Sequence, residues 1–181
     1  MVKRVLVAIF TSAFILSTYQ TLICAELILS NTPALIYFSP RGGCTEAIVV
    51  EIETAKSEVL VQAYSFTSAP IAQALMSIFK KGVKVQVILD ESQKTEQYTA
   101  ATFLSNAGIP VHIDAKHAIA HNKVIIIDRD TLITGSFNFT KAAEEKNAEN
   151  VLILRNRDLT QQYVENWERH REHSERYART R

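Results

Sequence analysis

The chain has 181 residues, 47% of them hydrophobic and 22% charged, with a formal net charge of +1. Without repeats or low-complexity tracts, that balance describes one globular domain long enough to bury a core. Near-neutrality excludes any argument for a polyanionic partner from net charge alone.

The N-terminus carries Lys3 and Arg4, then the apolar run VLVAIFTSAFILS, then polar and small residues up to Ala25. This three-part layout predicts an export signal over residues 1–25 and a mature domain over 26–181. Ser17, Thr18, Tyr19, Gln20 and Thr21 interrupt the run short of the ~20 apolar residues of a membrane span, so stable insertion after cleavage is not expected. The product is therefore expected to be exported, periplasmic or secreted. A lipoprotein reading at Cys24 fails because Ile23 stands where a small residue belongs. Without the signal only Cys44 remains, which excludes an internal disulfide and favours burial as a small hydrophobe.

Downstream, ALIYF (34–38) reads as a strand, S-P-R-G-G-C as a loop and TEAIVVEIETAKS as a helix. EVLVQAY (58–64) is a second strand. Pro70 opens the next helix, whose Ile71, Ala74, Leu75, Ile78 and Phe79 share one face before Gly82. VKVQVILD (83–90) is a strand, 94–107 a helix ending at Gly108, and IPVHI (109–113) a short strand. The β-branched run Val124-Ile125-Ile126-Ile127 is a strand, turning at Asp128-Arg129-Asp130 into TLIT. A short helix from Thr140, the strand NVLILR (150–155) and a final helix from Asp158 complete the chain. The stripe of Leu159, Tyr163 and Trp167 on that helix reads as core. Strands alternating with helices, plus one hairpin, predict a single α/β domain with a mixed central sheet flanked by helices on both faces. From Arg169 the end holds five arginines against two glutamates. It reads as a basic C-terminal tail, either a polyanion patch or a solvated, frayed end.

Alternation along a strand projects His121 and Lys123 the same way. Gly135-Ser136-Phe137-Asn138 follows the return strand of the hairpin and brings a hydroxyl and an amide back to that end, and Glu149 stands at the head of the next strand. An imidazole, a cation, two neutral hydrogen-bond formers and a carboxylate are a phosphate-handling set. Lys123 neutralises oxygens, Ser136 and Asn138 donate to them, and Glu149 can keep one histidine nitrogen protonated so that the other is nucleophilic.

The pattern His121-x-Lys123-x4-Asp128-x6-Gly135-Ser136-x-Asn138 resembles the HKD signature of the phospholipase D superfamily. The likeness extends through SPRGGC, QAYSFTSAPI, KKGVKVQVILDES, SNAGIPV and GSFNFTKAAEEKNAENV, and the chain resembles the small secreted endonucleases of the Nuc type carried by bacterial plasmids. It implies a metal-independent phosphodiesterase with no cofactor. The histidine matching His121 attacks phosphorus and forms a phosphohistidine, while a second such histidine serves as general acid and base. Residues matching Lys123, Ser136 and Asn138 bind phosphate, the glutamate matching Glu149 orients the histidine, and the aspartate matching Asp128 has a largely structural role in the catalytic signature.

Two histidines are required and the signature occurs once. His112, His117, His170 and His173 lack a lysine two residues on. The expectation is a twofold homodimer with one composite site at the interface.

Other candidates have plainer readings. His117 and His121 would share a zinc ion on a helix, but the strand that follows and the absence of His-Glu-x-x-His argue against it. His117 is expected in a loop near the substrate entrance. Glu144 and Glu145 are expected on a solvated helix face, Asp90 and Glu91 in a structural loop, and Ser65 and Phe66 either at the groove or in the core. The leading function is a weakly selective endonuclease on DNA, with RNA as a further substrate. Its rivals are a lipid phosphodiesterase, disfavoured by the lack of an apolar loop suited to entering a bilayer, and a nucleic-acid-binding module without turnover.

Overall fold

The computed structural model describes residues 26–95 and 99–178, so the segment expected to direct export lies outside it. Eight strands form one sheet: β1 (Ala34–Phe38), β2 (Glu58–Ala63), β3 (Lys84–Asp90), β4 (Val111–Asp114), β5 (Lys123–Ile127), β6 (Thr131–Gly135), β7 (Asn150–Arg155) and β8 (Glu175–Arg176). Their spatial order is β1-β7-β6-β5-β2-β3-β4-β8. β2, β3 and β4 run parallel and the other pairings are antiparallel.

Helices α1 (Cys44–Glu53), α2 (Ala69–Lys80) and α3 (Ala100–Asn106) pack on one face, and α5 (Arg157–His173) on the other. The short α4 (Lys141–Glu145) lies between β6 and β7. α2 starts with proline in its first turn and buries Ile71, Ala72, Ala74, Leu75 and Ile78, the predicted stripe, which explains why it docks where it does. Trp167 of α5 is buried with Leu60, Ile88, Val124, Ile126 and Leu132, and its indole Nε1–H donates to the Val61 carbonyl at 3.0 Å. β5 is buried on both faces, and each such β-branched side chain contributes about 1.5–3 kcal/mol by leaving water.

The hairpin between β5 and β6 places Asp128 (φ 51°) and Arg129 (φ 56°) in the left-handed region, as the tight turn between twisted strands requires. Cys44 is fully buried, and burial reinforced by the Glu144 carboxylate pushes its thiol up to about 11.

Three expectations are corrected. The helix over 94–107 is a 3-10 turn at Glu91–Lys94 followed by α3, because the Asp90 carboxylate accepts the Ser92 N–H at 3.0 Å and starts a turn at once. The strand over 109–113 begins only at Val111, since Pro110 has no N–H to give a ladder. The basic end is no frayed tail as far as Ala178. Its first residues finish α5, β8 pairs with β4, and the Tyr177 hydroxyl shares a 2.8 Å hydrogen bond with Thr102.

Candidate active site

The strand register brings the candidate residues to one edge of the sheet. Tyr37 pairs with Val151, and Val151 with Gly135. Lys123 lies one step beyond the Val124–Thr134 pair and itself pairs with Ala63, which pairs with Leu89. Parallel strands β2 and β3 end at this row and β5 begins at it, the place where α/β sheets hold ligands. Gly135 is required there: a Cβ would fall onto the Asn150 carbonyl oxygen, so no side chain fits between β6 and β7.

His121 lies just before β5, exposed, with its ring against Tyr64 at 4.6 Å between centroids. Lys123 is buried, donates from Nζ to the His121 carbonyl at 2.9 Å and sits 5.2 Å from the centre of the Tyr64 ring. Among the described residues this engages one of its three N–H donors. Burial pulls the Lys123 ammonium below its usual range, and the Glu149 carboxylate opposes this.

Ser136 is exposed and its Oγ accepts from both Asn150 N (3.1 Å) and Asn150 Nδ2 (3.2 Å). With both lone pairs engaged, its hydroxyl hydrogen points away as a donor. Asn138 Oδ1 is buried and accepts no hydrogen bond among the described residues. Turned end for end, the same amide offers its Nδ2 donors to an anion.

Glu149 is fixed by its backbone N–H, which donates to Ser39 Oγ at 3.2 Å, and its Oε1 accepts from Asn147 Nδ2 at 3.1 Å. Among the described residues no hydrogen bond joins it to His121, and its effect within the chain is the field it exerts on Lys123.

Asp128 belongs to the other end of β5. Its carboxylate accepts the N–H groups of Lys56, Ser57 and Glu58 and the Ser57 hydroxyl, at 2.7–3.0 Å. It therefore ties the hairpin to the start of β2 and touches nothing at the mouth, a structural place within the signature. Burial raises its pKa, but the hydrogen bonds outweigh that and hold it below the usual carboxylate value. A depressed folded pKa means stabilisation present above the unfolded value and lost as pH falls through the folded one. Asp128→Asn is expected to cost about 2 kcal/mol at neutral pH, the deficit shrinking as acid protonates the wild type, which paired thermal melts across pH would show.

The other candidates fall elsewhere. His117 lies in the loop after β4, where it meets Asp114, His170 and His173 rather than His121. Phe66 is fully buried, edge-on to Phe139, so it belongs to the core. Asp90 is buried and structural: its Oδ2 accepts the Ala120 N–H at 2.7 Å and pins the loop that leads to His121. Glu145 pairs with Lys141 on the surface, as a solvated helix face would. Glu144 departs from that expectation, reaching across to accept the N–H groups of Gly43 (3.1 Å) and Thr45 (2.7 Å) and so capping α1.

Sequence reasoning missed Tyr64, Ser39 and Asn147. Tyr64 follows β2 directly, and an aromatic at the end of a parallel strand beside Ser65 and Phe66 was the available signal. Ser39 stands just past β1, where its Oγ also donates to the Asn147 carbonyl at 2.9 Å.

Residues 48–171 match the family model described as cardiolipin synthase, PLD-like domain. A phospholipase D of Rickettsia felis is 46% identical over 143 residues, covering 79% of this chain and 70% of that protein. A mitochondrial cardiolipin hydrolase of Canis lupus familiaris is 32% identical over 156 residues, covering 81% of this chain and 61% of that protein. The crystal structure of Nuc from Salmonella typhimurium, a phospholipase D family member, superposes with a TM-score of 0.78 at 37% identity, covering 81% of this chain and 98% of that one.

Proposed function

The chain belongs to the phospholipase D superfamily, and on that premise we propose that it is a metal-independent endonuclease acting on the backbone of DNA, with RNA as a further substrate. Hydrolysis of phosphodiester bonds is the chemistry of the superfamily; the nucleic-acid substrate is the finer step. The observation that carries it is the convergence of His121, Lys123, Ser136, Asn138 and Glu149 on one sheet edge, a set whose chemistry suits a phosphate, with no base-reading element among the described residues. The mouth supplies positive charge through Lys123, and the cluster of possible metal-ligating groups found among the described residues lies elsewhere, at Asp114.

In this reading an imidazole nitrogen of His121 attacks phosphorus, the bond to the leaving oxygen breaks, and a second imidazole donates its proton to that oxygen. The second imidazole then takes a proton from water, whose oxygen displaces His121 from phosphorus. The second imidazole is the other subunit's His121. Of the chain's five histidines, His112 is buried on the α5 face and three surround Asp114, so none but His121 is free at the mouth. A dimer is further supported by β1, which ends the sheet with one open edge and leaves Ile36 and Phe38 57% and 66% exposed. Phe38 pairs with Asn150, beside Ser136, so a second copy covering this edge would meet the site. Two Lys123 ammonium groups then flank one phosphate. Export through the signal read at 1–25 would put this activity in the periplasm or outside the cell.

A lipid phosphodiesterase is the second reading, favoured by the names of the Rickettsia and mitochondrial relatives and by the exposed Ile119 two residues before His121. The mature chain is expected to nick supercoiled plasmid in excess chelator, at a temperature where circular dichroism shows the fold intact. Intact plasmid alongside release of head groups from mixed-lipid vesicles would replace the nuclease reading with the lipid one.

A further inference from the structure

Away from the mouth, the end of β4 and the last turn of α5 meet in a cluster the reaction does not use. Asp114 is fully buried, and three imidazoles converge on its carboxylate. His170 Nδ1 lies 2.6 Å from Oδ2, His117 Nδ1 3.2 Å from both oxygens, and His173 Nε2 3.2 Å from Oδ1. The rings stand 4.9–5.4 Å apart between centroids. One imidazolium would satisfy one carboxylate, so an ion pair accounts for one of these histidines and not for three. His173 Nε2 is buried and, although close to Oδ1, makes no hydrogen bond among the described residues. A buried nitrogen with that arrangement is costly unless something else accepts its lone pair.

We propose that Asp114, His117, His170 and His173 form a structural zinc site. One ligand atom from each lies within 4.8 Å of every other. Zinc bonds of about 2.0–2.1 Å set tetrahedral ligand atoms about 3.3 Å apart, so the cluster closes by small side-chain rotations, chiefly of the exposed His117. Three imidazoles and a carboxylate suit zinc over magnesium or calcium, which favour oxygen. Four protein ligands leave no open position, which marks a structural rather than a catalytic ion.

Its effect follows from where the ligands sit. His117 lies in the loop of residues 115–122 that joins β4 to β5 and delivers His121. That loop is otherwise held by Asp90 at Ala120, by the Lys116 N–H on Asp114 and by the Asn122 carbonyl on the Tyr64 N–H. Zinc would staple it to α5 and set the platform from which His121 projects, taking no part in phosphoryl transfer.

The test uses untagged mature protein, stripped with chelator and dialysed, and does not read nuclease activity. Titrated with zinc sulfate in a calorimeter near pH 7.5, wild type is expected to take one ion per chain with Kd below about 1 µM and to melt several degrees higher. Cobalt(II) is expected to give the intense visible bands of a tetrahedral site. The surface variant His117→Gln should bind at least about tenfold more weakly, and the double variant His170→Gln/His173→Gln should lose binding. No stoichiometric binding by wild type, or binding by the double variant equal to wild type, overturns the proposal. Either result leaves plasmid nicking untouched as a separate question, so this site and the proposed activity fail independently.

Discussion

Replacing His121 by alanine is expected to reduce plasmid nicking about 10⁴-fold or more while leaving DNA affinity within a few-fold of wild type. The two effects separate because the groups do. His121 is exposed with its ring against Tyr64, whereas the contacts proposed for an anion come from Lys123, Ser136 and Asn138. Loss of an exposed imidazole of this kind also costs little stability, about 0.5 kcal/mol or less, so a melt near that of wild type will show that the fold survives. A gel-based nicking assay beside a binding isotherm at fixed salt checks both halves. Full activity in the variant removes His121 as the nucleophile.

The second large effect concerns the partner. If each site draws its two imidazoles from two chains, a dimer of one wild-type and one His121→Ala subunit holds one nucleophile and no general acid. Such a dimer is expected to be as inactive as the doubly substituted one, not half as active. Losses from residues that act as a unit do not add, so removing either histidine stops the cycle. Two independent sites per dimer would instead retain about half the wild-type rate.

Much of this was legible in the residues because its determinants are local. The buried Val-Ile-Ile-Ile run, the turn at Asp128 and Arg129, and the Pro70 helix each follow from a few neighbouring side chains. The placing of Lys123 and Asp128 at opposite ends of that run is equally local. What escaped depends on contacts far apart in the chain. Asp114 meets His170 across 56 positions and Glu144 meets Gly43 across 101, and nothing in either neighbourhood announces the other. His117 shows the same limit: its sequence neighbours place it in a loop, expected near the substrate entrance, but do not show that this loop carries it to Asp114 and the end of α5. The arginine-rich end reads as a polyanion patch or a frayed end because its charge is visible in sequence, while the pairing of β8 with β4 is not.

The direct test of the composite site is the activity of a purified mixed dimer. Wild-type and His121→Ala chains carrying different affinity tags are co-refolded, and the heterodimer is isolated through both tags and assayed on supercoiled plasmid in chelator. The account predicts a stable heterodimer with background activity only. A heterodimer running at about half the wild-type rate, or fully active chains that never form a dimer, would contradict it.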